Sequence, residues 1–246
     1  MNVSSLTFAL LAGALCLASN GCRNAPGKPI PGDEATRPDQ ALDFPTLYKQ
    51  NCAGCHGENG KNGAAVSLAN PVYLATAGID TIQRVTATGV PGTLMPAFGK
   101  RAGGTLTDAQ VTVLAQGIIR TWGRPDALGG ATAIPYTSQS KGEPAQGARA
   151  FATFCASCHG SDGAGKASGE GRSDSIVDPT YLALLSDQSL RSTIIAGQPE
   201  RGMPDWRSDL TGANSRPMTE QEVTDIVAWM ASHRTSSPGQ PYPQHP

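Results

Sequence analysis

Aromatic residues make up only 5% of this 246-residue chain, and no run of Val and Ile alternates with polar residues over the length of a β-strand. That is thin material for a large apolar core made from side chains alone. With 29 Gly and 19 Pro, the composition suits small, loop-rich domains held by a cofactor or a crosslink. Charge of one sign is lacking too. The formal net charge is −1, with no basic stripe and no long charge run, so no nucleic-acid partner is expected. Beyond the N-terminus, no segment has the apolar length that a helical membrane crossing needs.

The one uncharged apolar run is Leu6–Ala18, LTFALLAGALCLA. It fits the core of a signal peptide over residues 1–21, with Ser19 and Gly21 as the small residues before a cut at Cys22, and the alternative is an uncleaved N-terminal anchor. The rest of the chain is then expected outside the cytoplasm, on the periplasmic side of a bacterial membrane. Of the six cysteines, Cys16 leaves with the signal, four form two CxxC pairs, and Cys22 is left alone. LASNGC is similar to a lipobox, although Ser19 stands where Leu is usual. Acylation of Cys22 gives the lone thiol a reason and a lipid anchor, since several acyl chains at ~0.8 kcal/mol per buried CH₂ hold firmly. Residues 22–43 then read as a Pro-rich tether, 123–143 as a linker and 235–246 as a disordered tail.

Between these lie two copies of one plan, residues 44–122 and 144–234. Each has an aromatic four residues before its first Cys (Tyr48, Phe151), then CAGCHG or CASCHG, a Gly-rich loop, and NPVYL or DPTYL. A constant offset of 108 relates Pro71 to Pro179, Gly89 to Gly197, Pro91 to Pro199 and Met95 to Met203. Each copy ends on the same helix signal. In LTDAQV, Thr107 caps with Gln110 at N3, and in MTEQEV, Thr219 caps with Glu222 at N3. Apolar residues then follow at helical spacing, so the chain reads as all-α, two small helical domains in tandem.

Three chemistries use CxxCH. Structural zinc needs four ligands, and each copy offers three, 103 residues from the other set. A redox CxxC belongs beside a βαβ pattern, which is lacking, and a disulfide between residues three apart constrains little. The haem reading uses every residue. Cys52, Cys55, Cys155 and Cys158 bond the haem covalently, and His56 and His159 reach the iron. The matched Met95 and Met203, each before a Pro, supply a soft sixth ligand that raises the reduction potential. Met218 and Met230 sit at packing positions, His233 closes the last helix, and His245 lies in the tail. GSDGAGKA at 160–167 imitates a P-loop but lacks the Ser/Thr after Lys and the preceding strand.

CxxCH-Gly, a downstream Met-Pro and a terminal amphipathic helix resemble class I c-type cytochromes, and the pattern covers both copies. The resemblance implies a dihaem protein with two covalently bound haem c groups and crossing first and last helices. It puts the Pro71 and Pro179 carbonyls on the proximal imidazoles and a Gly at the helix crossing, where Gly147 fits and Phe44 departs. Two six-coordinate irons leave no open site, so no catalytic residue is expected and the chain reads as an electron relay. The alternative is the haem subunit of a dehydrogenase complex or a dihaem peroxidase-like enzyme. Expected partners are redox proteins: a quinol-oxidising complex, a terminal oxidase or reductase, or a dehydrogenase. Residues 44–124 carry seven Lys/Arg against three Asp/Glu, and 143–234 carry eight against twelve. Lys100 and Arg101 follow Met95, and Asp205 and Asp209 follow Met203, which suggests that the halves dock different partners by charge.

Overall fold

A computed structural model describes residues 27, 36–91, 93–166, 174–207 and 216–235. The signal segment, Cys22, Asp209 and residues 236–246 lie outside them. The described residues from Ala41 onward form one compact unit. Its regular elements among the described residues are helical, with two isolated β-bridges.

Among the described residues the first repeat has four α-helices: α1 (Phe44–Asn51), α2 (Ala53–His56), α3 (Pro71–Thr88) and α4 (Asp108–Trp122). The second has α5 (Pro144–Phe154), α6 (Ala156–His159), α7 (Pro179–Ala183), α8 (Asp187–Ala196) and α9 (Glu220–Ala231). The difference in number is nominal. Helix α3 is broken at Gly78, whose ψ of 162° is not helical, and the matching residue Ser186 is the N-cap of α8. One long element in the first repeat thus corresponds to α7 and α8 in the second.

Helices α4 and α9 begin on the capping boxes that their sequences predict, Thr107 with Gln110 and Thr219 with Glu222. Their apolar stripes form the floor of each core. Leu114 and Val223 are fully buried, and Ile118 and Ile226 nearly so. The crossing of first and last helices is solved in opposite ways. In the second repeat Gly147 lies against α9, where a Cβ would stand 2.7 Å from Trp229 Cβ. In the first repeat Phe44 occupies the matching place, and the glycine has moved to the other helix, where Gly117 receives the Phe44 ring. Capping-box register aligns Gly117 with Trp229, so a large–small pair has exchanged sides.

The segment 123–143 is strapped to the second repeat. Ile134 is buried in its core. Arg191 on α8, 3% exposed, donates to the Pro135 carbonyl at 2.8 Å, to the Tyr136 carbonyl and to Thr224 Oγ1, and pairs with Glu220 at 3.2 Å. Burial lowers the Arg191 pKa, and Glu220 opposes that shift. Arg191→Met would leave the Pro135 carbonyl without its donor and remove the cation that faces Glu220. A loss on the order of 3 kcal/mol is expected in chemical denaturation, and a loss below ~1 kcal/mol would contradict this view of the strap.

Acid should also loosen the second repeat. Arg216 donates twice to Glu222, at 2.8 and 2.6 Å, and holds its carboxyl at about 2, below the ordinary 4.5. A depressed folded pKa stabilises fully above the unfolded value and is lost as pH falls through the folded value. Stability is therefore expected to decline between pH 4.5 and about 2. Glu222→Gln keeps a capping box of the Gln110 type and should flatten that decline. An unchanged acid profile by circular dichroism would remove Glu222 from the account.

Candidate haem-binding sites

In each repeat CxxCH forms a single helical turn that follows directly on the first helix, with the first cysteine ending one helix and opening the next. Cys52 is buried, Cys155 half-buried, and Cys55 and Cys158 are exposed, and none is in a disulfide. Burial, and then the neighbouring thiol, pushes Cys52 and Cys155 up to about 12. Redox-active cysteines need the opposite, a lowered pKa. Among the described residues no three His, Cys, Asp or Glu side chains gather as a metal-binding cluster.

His56 is 7% exposed, and its Nδ1 lies 2.8 Å from the Val66 carbonyl. A carbonyl can only accept, so Nδ1 carries the proton and Nε2 presents the lone pair. Burial lowers the pKa of both His56 and His159, which keeps the rings neutral, the form that binds a metal. Val66 corrects the expectation from the resemblance. Pro71 and Pro179 do not serve the imidazoles. Each opens a helix, which directs its carbonyl along the helix axis, and Pro179 accepts from the Thr235 amide at 3.4 Å.

The Gly-rich loops serve the motif backbone. Ala65 N–H donates to the Cys55 carbonyl and Gly165 N–H to the His159 carbonyl, both at 3.0 Å. These bonds satisfy carbonyls in the last turn of the short helices, and Gly165 does so from within GSDGAGKA. Tyr48 adds a bond the second repeat lacks, from its hydroxyl to the Gly57 carbonyl at 2.8 Å, since Phe151 has no hydroxyl. Sequence reasoning also missed the indoles. Trp122 meets Tyr48 at 5.0 Å and Trp229 meets Phe151 at 4.4 Å, and each ring lies over a loop glycine, Gly60 or Gly163.

The two methionine loops are held alike. Helix α3 ends at Gly89 and α8 at Gly197, with φ of 70° and 66°. The next residue donates its N–H to the methionine carbonyl, Val90 to Met95 at 3.0 Å and Gln198 to Met203 at 2.9 Å. A Cβ at Gly89 would stand 2.8 Å from Met95 O, and one at Gly197 would stand 2.6 Å from Met203 O. Only glycine allows this approach together with a left-handed φ. Both methionines are half-buried on these loops. Met218 and Met230 are instead buried in the second core. His233 Nδ1 bonds the Trp229 carbonyl at 2.9 Å.

A family model described as Cytochrome c matches residues 144–234, and one described as Cytochrome C oxidase, cbb3-type, subunit III matches residues 39–116. The chain is a tandem of two cytochrome c domains. It is similar to the cbb3-type cytochrome c oxidase subunit CcoP of Rhodobacter capsulatus, 30% identical over 76% of this chain and 60% of that protein. It is also similar to subunit FixP of Bradyrhizobium sp. strain ORS 278, 30% identical over 70% of this chain and 57% of that one. Subunit FixPc of Rhizobium leguminosarum bv. viciae is 26% identical over 77% of this chain and 62% of that one. The chain spans about three-fifths of the length of these relatives. Among its described residues, no helix is long and apolar enough to cross a membrane.

Two cytochrome c domains carry two covalently bound haem c groups. The residues present fit them. Each domain offers two unbridged thiols, a neutral imidazole and a thioether on a loop of matched geometry. In the second domain His159 Nδ1 and Trp206 Nε1 are buried nitrogens with no partner among the described residues, so the domain has polar capacity its own side chains do not use.

Proposed function

We propose that this cytochrome relays single electrons outside the cytoplasmic membrane, from a quinol-oxidising complex or a comparable donor to a terminal oxidase. Cys52 and Cys55 bond one haem, and Cys155 and Cys158 the other. His56 with Met95, and His159 with Met203, are the axial pairs, carried by domains at 44–122 and 144–234. The matched methionine loops support this reading best, because each is built around a glycine at a helix end and hydrogen-bonded at the methionine itself. Haem supplies reversible one-electron chemistry at its iron. The chain's part is to hold both sides. The buried imidazole is kept neutral and, in the first domain, oriented by Val66. The thioether favours the reduced state and excludes small ligands. The names of the relatives, subunits of cbb3-type oxidases, support the choice of acceptor.

The N-terminus fits this placement if residues 1–21 are removed and Cys22 is acylated. Mass spectrometry of the mature N-terminus should find a lipid-modified Cys22, and an unmodified residue there would end the tethering proposal. Charge-guided docking rests more on the first domain than on the second. Lys100 is exposed, whereas Asp205 is held by Arg207 through two bonds of 2.9 and 2.8 Å, which leaves less free negative charge beside Met203. Oxidation of the reduced protein by membranes rich in a cbb3-type oxidase is expected to slow several-fold from low to high ionic strength. No oxidation by such membranes would overturn the acceptor, and a salt-independent rate would overturn the docking.

A further inference from the structure

Asn70 is 5% exposed, and its side chain makes four hydrogen bonds, all to backbone. Its Oδ1 accepts from the Val72 and Tyr73 amides at 2.9 and 3.1 Å and so caps α3 of the first domain. Its Nδ2 crosses to the second domain and donates to the carbonyls of Ala196 and Gly197, at 2.9 and 3.4 Å. These are the last carbonyls of α8, at the point where Gly197 receives the Met203 backbone. The C-terminal end of one helix thus meets the N-terminal end of another, with the carboxamide serving both sets of unpaired groups. The matching residue, Asp178, is exposed and does the capping alone, through Tyr181 N–H at 2.7 Å. An aspartate at 70 could cap as well, but it has no N–H to give. Packing supports the contact, since Val72 is buried in the second core and Ala196 in the first.

We propose that Asn70 is a positioning residue through which the first domain holds the methionine loop of the second. This rests on Met203 as the axial ligand. The Asn70 amide fixes the end of α8, Gly197 fixes where the loop begins, and the Gln198 amide bonds the Met203 carbonyl. Loss of that first bond lets Met203 leave the iron more often.

Asn70→Ser separates the two duties, because serine still caps a helix but cannot reach the Ala196 and Gly197 carbonyls as a donor. In the ferric holoprotein, imidazole is expected to displace the second-domain methionine about fivefold to tenfold faster, the effect of one lost hydrogen bond. The midpoint potential of that haem should fall while the first-domain haem is unmoved, and Asp178→Asn should change neither. Wild-type displacement rates and potentials in Asn70→Ser would overturn the proposal. Should that variant yield no holoprotein, denaturant titration of Met95→His decides, where the one remaining methionine-to-iron charge-transfer band reports Met203. That band is expected to vanish together with first-domain helix structure, and its survival beyond that transition would also overturn the proposal. Met203→Ala keeps the premise separate: if it leaves both methionine bands in place, the axial assignment has failed and not the coupling.

Discussion

Met95→Ala and Met203→Ala are each expected to open one haem of the pair to carbon monoxide and to lower its potential by on the order of 0.1 V or more. The thioether is the one soft donor in the sequence of each loop, and the loops hold it at the backbone. The reduced single variants should bind one carbon monoxide per chain and the double variant two. Each single variant should lose one of two methionine-to-iron charge-transfer bands, and folding should be nearly intact, because both residues are only half-buried. A Met95→Ala protein that keeps both bands and binds no carbon monoxide would show that another group completes the first site.

Gly197→Ala should be nearly as damaging, by a different route. A Cβ there would stand 2.5 Å from the Pro204 carbonyl oxygen and 2.6 Å from that of Met203. Both obstacles are backbone, so the loop itself must move. Gly202 is the matched control. It too has a left-handed φ, 77°, but a Cβ there meets nothing within 4 Å. Gly202→Ala therefore costs conformational strain alone, ~1 kcal/mol. Gly197→Ala adds the displacement, for a total of ~3 kcal/mol, together with loss of the second methionine band. Denaturant titration of both variants measures the difference. Equal losses would mean that the loop tolerates the Cβ and that close approach does not set the position of Met203.

These effects show where the sequence could be read and where it could not. Periodic and capped elements were legible, because Thr107, Gln110, Thr219 and Glu222 signal helix starts through local chemistry. The constant offset between repeats makes Gly89 and Gly197 visible as a pair, and only the fold explains them, since close approach of two backbones leaves no local signature. Phe44 looks like a departure from the crossing glycine until Gly117 is seen across from it on another helix. Val66 could not be anticipated, because the path of a Gly-rich loop decides which carbonyl reaches His56. Asn70 against Asp178 was a visible difference without a visible reason. Both residues cap a helix, and the extra amide matters only where a second domain supplies carbonyls.

Carbon monoxide added to the fully reduced wild-type protein tests the account at its centre. If both irons are held by histidine and methionine, the spectrum is expected to stay unchanged on the mixing timescale. Rapid binding of one equivalent per chain would reveal an open iron and a catalytic site in place of a simple relay.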